Sequence, residues 1–264
     1  MIVDVHAHIG EIAAFNSLDV RVESMLALMD TLGIDVCMNM PAAGFAGSFQ
    51  EAYEMSEAAH ELSNGRLVYS LIFDPHYVEA SLEWFEKALG RPGFVGIKIH
   101  PSLHQVWPED SRYEPIWRFA AEHNLPVLTH SWAVSGHNPV QRFSTPDHFA
   151  HYVERFPRVN LVLGHAGGRY EGHLAAAELA RQYPNVHVDT SGDCYAYGLI
   201  EWLVAQVGAE RILFGSDMNW VDPRTHLARV YDADITLEEK RLILGENACR
   251  LYKLPTWRQC SAGN

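Results

Sequence analysis

The sequence predicts an α/β protein folded as a single (β/α)8 TIM barrel with a metal site at its C-terminal mouth, in one domain spanning residues 1–264. Three observations predict this fold. Short apolar, β-branched runs alternate with longer amphipathic stretches. Successive runs begin roughly 26 to 33 residues apart, which is about the length of one strand–helix unit. No Pro/Gly-rich or low-complexity linker divides the chain, and eight units closed into a barrel leave no strand edge unpaired.

The eight apolar runs are predicted as strands. They are Ile2–His8, Asp35–Met40, Arg66–Phe73, Phe94–His100, Pro126–His130, Val159–His165, Asn185–Thr190 and Arg211–Ser216. A doubly wound open sheet is the alternative arrangement of such strands. We disfavour it because the first strand ends in His6-Ala7-His8, and no glycine-rich phosphate loop follows it.

Eight amphipathic segments are predicted as helices. They are Val20–Leu32, Phe49–Ser63, Val78–Leu89, Tyr113–His123, Pro146–Phe156, Glu171–Tyr183, Tyr197–Val207 and Thr236–Tyr252. Gly33 follows the first helix, where a residue that tolerates positive φ is expected. Thr236 precedes Glu239 by three residues, which is the pattern of a capping box at the start of the last helix.

The composition narrows the classes of protein and partner. Acidic residues outnumber basic ones by 33 to 20, so the formal net charge is −13. Such a deficit of Lys and Arg argues against a nucleic-acid or anionic-membrane partner. A hydrophobic content of 48% excludes a disordered chain. We therefore expect a globular protein whose partner is a small molecule, and we leave a homodimer open.

The cysteines and the chain start predict a cytoplasmic protein. Cys37, Cys194, Cys249 and Cys260 are far apart, without the spacing of a metal finger or a disulfide framework, which is typical of a reducing compartment. No apolar run approaches the roughly 18 residues of a spanning helix. The chain opens with the strand-like residues Met1–Val3, so no secretory signal is expected.

Histidine is the unusual feature of the composition, with 15 residues against 7 methionines and 7 tryptophans. His6 and His8 are two positions apart at the end of the first predicted strand, so their side chains face the same way. His130, His165 and Asp217 stand at or just after the ends of strands five, six and eight. The C-terminal ends of barrel strands converge on one mouth. We therefore expect these five side chains to surround one cavity.

This set of donors predicts a metal site. Several imidazoles and one carboxylate suit a borderline divalent ion, most simply a single Zn²⁺ with an open position for water. Capping of a following helix is the structural alternative for Asp217. Lys98 stays open between a solvated residue, a substrate contact and a carbamylated ligand that bridges a second ion, and His100 on the same face is equally open. The histidines predicted to lie at the surface are His60, His76, His123, His148, His151 and His226.

Taken together, the strand-end motifs resemble a known family. They are Asp4-Val5-His6-Ala7-His8, Gly96-Ile97-Lys98-Ile99-His100-Pro101, Thr129-His130, Leu163-Gly164-His165-Ala166-Gly167-Gly168, Leu213-Phe214-Gly215-Ser216-Asp217 and the closing Leu244-Gly245-Glu246-Asn247-Ala248-Cys249-Arg250-Leu251. This set resembles the amidohydrolase superfamily, and within it the amidohydrolase-2 branch, which includes aminocarboxymuconate-semialdehyde-type decarboxylases. The resemblance extends from His6 to Tyr252.

The resemblance implies a (β/α)8 barrel with a divalent metal bound by His6, His8, His130 and Asp217. It also implies that His165 lies just beyond the metal, where it polarises the substrate or holds the water. The sequence departs from the branch at two points: Met218-Asn219-Trp220 stands where an aromatic residue and a proline are usual, and the chain is short for the decarboxylases. Both departures leave the substrate open, and the short chain favours hydrolysis.

The working hypothesis is metal-dependent hydrolysis of an amide, a lactone or a related C–N or C–O bond in a small molecule. Asp217 would accept a proton from the attacking water, and His165 would help to polarise the scissile carbonyl. The alternative with the same metal is non-oxidative decarboxylation of an unsaturated or aromatic acid. A third alternative, from another class, is a barrel that has lost catalysis and binds a ligand or partner.

Substrate contacts are expected from the loops after the strands. Arg169 is a candidate for gripping a carboxylate because its guanidinium is a planar fork, although packing against Tyr170 is equally in keeping with its position. Trp132 and Trp220 would form a flat apolar wall for a ring, or would simply pack the barrel mouth. Lys98 and His100 complete the main candidates. The other loop candidates are His137, Tyr195 and Arg224.

Overall fold

The computed structural model describes residues 1–12 and 19–254. Its eight strands are β1 (Val3–Ile9), β2 (Val36–Pro41), β3 (Leu67–Ile72), β4 (Phe94–Ile99), β5 (Val127–Thr129), β6 (Leu161–Leu163), β7 (Val186–Asp189) and β8 (Ile212–Leu213). They follow chain order across one sheet, and each strand is parallel to the next.

The sheet curves round until its last strand approaches its first. The backbone N–H of Val5 in β1 donates to the carbonyl of Phe214, just after β8, at 3.0 Å. Ala7 forms an isolated parallel bridge with Met218. The sheet is therefore a nearly closed (β/α)8 barrel, and the predicted fold class is confirmed.

Helices connect the strands. In the described residues they are α1 (Val22–Leu32), α2 (Ala42–Phe45), α3 (Phe49–Leu62), α4 (Val78–Ala88), α5 (Pro101–His104), α6 (Glu114–His123), α7 (Ala150–Arg155), α8 (Tyr170–Gln182), α9 (Leu199–Val207), α10 (Pro223–Tyr231), α11 (Leu237–Arg241) and α12 (Asn247–Tyr252). None of them has the length and apolar composition needed to cross a membrane.

The final helical region differs from its prediction. The segment predicted as one helix, Thr236–Tyr252, is divided by a π-helical turn at Leu242–Glu246. The capping box at its start is present, since the Thr236 side chain accepts from the Glu239 N–H and the Glu239 side chain accepts from the Thr236 N–H. Gly245 in the turn packs so closely against the carbonyl of Met1 that a Cβ would overlap it. The helix α10 was not predicted, although Asp222 caps it and Pro223 occupies its first turn.

The two faces of the strands carry two apolar clusters. Val68, Leu128 and Val162 belong to a cluster formed mainly by strand residues, while their neighbours Leu67 and Val127 pack with side chains from the helices. In a closed barrel these faces are the lumen and the helix layer. Lys98 pairs with Ile72 and Leu128, so it shares their lumen-facing side. The fold thus directs a buried lysine into the barrel.

Three of the four cysteines, which were predicted to form neither a disulfide framework nor a metal finger, lie in the described residues. Cys37, Cys194 and Cys249 are free, and Cys37 and Cys194 are buried. Cys260 lies outside the described residues.

His187 in β7 is expected to make the protein sensitive to acid. Burial, with the charges of Arg211 and Arg250, lowers the pKa of this histidine from 6.5 to about 4. Between these values the unfolded chain binds a proton that the folded chain excludes, so stability falls as the pH drops from 6.5 towards 4. At 1.36 kcal/mol per unit, the loss is about 3 kcal/mol.

The variant His187→Gln lacks this group, and its free energy of unfolding should fall less over the same pH range by about that amount. Urea unfolding of both proteins at several pH values measures the difference. Parallel pH profiles for the two proteins would contradict the assignment.

Candidate metal centre and active site

A cavity of about 140 Å³ lies among the C-terminal ends of the strands. It is lined by His6, His8, Phe45, Lys98, His100, His130, Trp132, His165, Gly192, Asp193, Asp217, Trp220 and Val221. The strand ends therefore bring together the histidines and the aspartate that the sequence analysis expected around one cavity.

Three buried side chains form its centre. The Nε2 atoms of His6 and His8 lie 3.1 Å and 3.3 Å from Oδ1 of Asp217. One donor atom from each of the three side chains lies within 4.8 Å of the other two. Asp217 adopts a left-handed backbone with φ +63°, and its N–H donates to the carbonyl of His6 at 2.7 Å, which fixes its carboxylate beside β1.

The outer nitrogens of the two histidines determine which atoms face inward. Nδ1 of His8 lies 3.1 Å from the carbonyl of Met40, and Nδ1 of His6 lies 2.7 Å from Oδ2 of Asp189. Carbonyl and carboxylate oxygens only accept, so both Nδ1 atoms carry the hydrogen and both Nε2 atoms present a lone pair. Two lone pairs and a carboxylate oxygen therefore converge. This donor set fits a divalent cation, and its outer hydrogen bonds are those of metal-binding histidines.

The remaining two histidines lie beside this centre. Nδ1 of His130 is 3.0 Å from Nε2 of His165, and Nε2 of His130 is 3.0 Å from the side-chain oxygen of Gln141. His165 forms a second potential metal-binding group with His6 and Asp189. Among the described residues, His130 belongs to neither group of converging donors, so its role as a ligand stays a prediction.

Burial sets the charge states around the cavity. It lowers the pKa values of His6, His8 and His165 well below 6.5, with further lowering from neighbouring positive groups. Neutral imidazole is the form that binds a metal, so these rings are ready as ligands at neutral pH. Burial also raises the pKa of Asp217 to about 7 and lowers that of Lys98 to about 8.

Lys98 brings a positively charged group to the cavity. Its side chain is only 1% exposed, and Nζ lies 3.2 Å from Nε2 of His6. The nearby carboxylates of Asp217 and Asp189 favour the charged form of this buried ammonium, and a substrate carboxylate in the cavity would be a further negative partner. Carbamylation of Lys98 and a second ion stay predictions.

Flat rings form the walls. Trp220 stacks on His8 with a centroid distance of 3.5 Å and an interplanar angle of 4°. His100 stacks on His130 at 4.1 Å and 7°, and Trp132 is parallel to His130 at 6.0 Å and 3°. The predicted contacts Trp132, Trp220, Lys98 and His100 thus all line the cavity.

Two predicted substrate contacts lie elsewhere. Tyr170 is 72% exposed, and Arg169 is exposed with its guanidinium 5.9 Å from the ring of Trp132. Neither belongs to the cavity lining. Arg169 immediately precedes α8, and the start of this helix places it outside the wall. Contact of either residue with a substrate stays a prediction.

Several residues of the site were not singled out from the sequence. Asp189 and Ser191 lie behind His6 and His165, and Gly192 passes so close to His165 that a Cβ would lie 2.7 Å from its Nδ1. His226 was predicted to be at the surface, and this was wrong. It is fully buried, and its Nε2 lies 2.8 Å from the carbonyl of Gly192. The signal for Asp189 was its position at a strand end, like those of the other site residues.

Comparison with known families agrees with this geometry. A model of the amidohydrolase family, of the amidohydrolase-2 type, matches residues 3–254. The chain belongs to the amidohydrolase family. The resemblance predicted from the motifs is confirmed, and with it the prediction that the chain is an enzyme. Members of the family bind a divalent metal, and the His6, His8 and Asp217 group is in keeping with one.

Solved structures with the same fold include a decarboxylase and a hydratase. The 2,6-dihydroxybenzoate decarboxylase from Rhizobium is 18% identical, with a TM-score of 0.77 over 96% of this chain and 98% of its own. The 4-oxalomesaconate hydratase from Rhodopseudomonas palustris is 20% identical, with a TM-score of 0.68 over 99% of this chain and 97% of its own.

A third amidohydrolase-fold structure contains a metal. It is a dihydroxybenzoic acid decarboxylase from Polaromonas sp. JS666 with bound manganese and the inhibitor 2-nitroresorcinol. It is 16% identical, with a TM-score of 0.75 over 96% of this chain and 97% of its own. No curated protein matches the amidohydrolase chain described here.

Proposed function

We propose that this amidohydrolase-family protein is a metal-dependent decarboxylase that releases CO2 from a small planar acid, either aromatic or unsaturated. The observation that supports this most directly is the cavity of about 140 Å³, which is lined by aromatic rings and by the buried ammonium of Lys98. The sequence favoured hydrolysis, with decarboxylation as its alternative. The shape of the cavity is the reason to reverse this order.

The size and walls of the cavity suit a single ring. An apolar cavity of about 150 Å³ can hold one benzene molecule. In the ring pairs Trp220–His8 and His100–His130 the two rings are stacked and nearly parallel, so only the outer faces and edges of each stack are available to a ligand. Aromatic faces favour offset stacking of another planar group. The cavity therefore suits a small planar molecule, and the buried ammonium of Lys98 favours an acid over a neutral amide or lactone.

The named activities of structures with this fold support the same class. The Rhizobium and Polaromonas enzymes are decarboxylases of dihydroxybenzoic acids. At 18% and 16% identity their similarity establishes the fold alone, so the inference about substrate rests on the cavity.

We propose Zn²⁺ as the metal, held by His6, His8 and Asp217, with His130 as a further ligand. A site of nitrogen and oxygen donors suits zinc and also accommodates manganese. When bound, the ion supplies positive charge that holds the oxygen atoms of the substrate and stabilises negative charge that develops during the reaction.

The side chains around the metal would have separate roles in binding the substrate and transferring a proton. Lys98 places its ammonium against the substrate carboxylate, and the stacked rings hold the plane of the substrate. Asp217 turns Oδ1 towards His6 and His8 and Oδ2 towards His165, whose Nδ1 is 3.4 Å away. From Oδ2, protonated Asp217 donates its proton to the carbon that bears the carboxylate. The C–C bond breaks, its electron pair remains on the substrate, and the carboxylate leaves as CO2. Asp217 regains a proton from water.

Hydrolysis is the second candidate because the same Oδ2 and His165 also suit it. Asp217 would accept a proton from water, and His165 would polarise a carbonyl. A full-length protein loaded with Zn²⁺ or Mn²⁺ should release CO2 from hydroxybenzoates or unsaturated acids and leave lactones and amides intact. Cleavage of lactones or amides without CO2 release would overturn decarboxylation in favour of hydrolysis.

Lys98→Met should raise KM for the acid by about 10- to 100-fold, because a hydrogen bond to a charged group contributes roughly 1.5–3 kcal/mol. Arg169→Met is the matched control, since it removes a cation that lies outside the cavity. Steady-state CO2 release over a range of acid concentrations measures both values. A larger increase in KM for Arg169→Met would restore the sequence-based assignment of the carboxylate contact. A homodimer, which the sequence left open, is tested by analytical ultracentrifugation.

A further inference from the structure

A fully buried carboxylate at the end of β7 connects the two halves of the proposed site. Oδ2 of Asp189 lies 2.7 Å from Nδ1 of His6. Oδ1 accepts the backbone N–H groups of His165 at 2.8 Å and of Ser191 at 3.0 Å, and also accepts the hydroxyl of Ser191. One side chain thus binds β1, the turn after β6 and its own strand end.

The turn that Asp189 holds has an unusual backbone. His165 and Ala166 have φ values of +62° and +45°, in the left-handed region that residues with a Cβ rarely occupy. Such a conformation persists when its surroundings fix it. The Asp189 bond to the His165 N–H is one such restraint, and Ser131, whose hydroxyl donates to the carbonyl of Gly164 at 2.6 Å, is another.

We propose that Asp189 is a positioning residue that keeps the hydrogen of His6 on Nδ1, so that Nε2 is always available to the metal, and that it places His165 beside the same centre. The proposal follows from the donor count. The groups that contact Asp189 are one ring N–H, two backbone N–H groups and one hydroxyl, so the carboxylate acts as acceptor at both oxygens. It depends on the proposed metal site at His6 but not on the reaction.

Replacement by asparagine tests the donor count, because an amide has one acceptor atom and one donor group. The backbone N–H groups of His165 and Ser191 require the amide oxygen, which turns the NH2 group towards His6. Nδ1 of His6 must then accept, and the hydrogen moves to Nε2, where it blocks the metal. The Ser191 hydroxyl oxygen, 3.0 Å from Nδ1 of His6, is the other available acceptor, so the double variant Asp189→Asn/Ser191→Ala removes it.

The experiment uses the full-length protein and Zn²⁺ as the probe. Zinc affinity is measured by competition with a chelator, and the ring tautomer of His6 is read from ¹⁵N chemical shifts after the metal is removed. Asp189→Asn and the double variant should bind Zn²⁺ about 10- to 100-fold more weakly, which is typical for the loss of an outer partner of a metal-binding histidine. His6 should carry its hydrogen on Nε2 in the double variant.

Ser191→Ala is the matched control, since it keeps the Asp189 carboxylate and should keep the Nδ1–H tautomer. Unchanged zinc affinity in the double variant, or an unchanged tautomer, would overturn the proposal. If the asparagine variants fail to fold, the wild-type spectrum decides, because a hydrogen on Nε2 of His6 in wild type contradicts it directly. Absence of zinc binding by wild type would instead refute the proposed metal site and leave the tautomer result standing.

Discussion

Asp217→Asn should lower kcat by about 10²- to 10⁴-fold, which is the usual contribution of a general acid or base. The amide has no carboxylic proton to donate to carbon, while its oxygen can still occupy the position of Oδ1, which lies 3.1 Å from Nε2 of His6. Burial, together with repulsion from Asp189, raises the pKa of Asp217 to about 7, which favours the protonated form. CO2 release at saturating substrate measures the loss.

The control for this prediction is Asp193→Asn. Asp193 also lines the cavity but lies in neither group of converging donors among the described residues. Its replacement should lower kcat much less than that of Asp217. Near-normal turnover by Asp217→Asn, with its zinc retained, would refute the role of this residue as the proton donor.

His8→Ala should abolish stable zinc binding. The variant loses one of the three donors that converge at the centre, and alanine also leaves Trp220 without the ring on which it stacks. A bound ion stabilises only the folded state, so Zn²⁺ should raise the Tm of wild type and leave that of His8→Ala unchanged. Elemental analysis of the purified proteins after gel filtration measures the zinc content.

His100→Ala is the matched control for His8→Ala. It removes an imidazole from the same cavity, and this imidazole belongs to neither donor group found in the part of the chain that the structure describes. Its zinc content should match that of wild type. One zinc ion per chain in His8→Ala would show that the centre lies elsewhere.

The residues at the centre of the site, His6, His8 and Asp217, could be predicted from the sequence because they lie at or just after strand ends. The alternation of side chains puts His6 and His8 on one side of β1, and a parallel barrel brings every strand end to one mouth. The same reasoning placed Lys98 and His100 at the mouth but could not say which neighbours they have.

The residues that contact the central side chains from behind, such as Asp189, could not be predicted in this way. Asp189 is 183 positions from His6 along the chain, and a carboxylate at a strand end has no pattern that distinguishes a histidine partner from water. His226 was placed at the surface because its helix α10, which buries Leu227 and Val230, was not predicted. Arg169 was judged by its chemistry, whereas its location depends on where α8 begins.

The closure of the barrel has a consequence for how the enzyme is made. His6 and His8 belong to the first strand and Asp217 follows the last, so the ion would sit across the seam where the sheet meets itself. During synthesis, the set of three donors is incomplete until Asp217 has left the ribosome. An ion bound by these three donors would therefore link the first strand to the segment that follows the last strand.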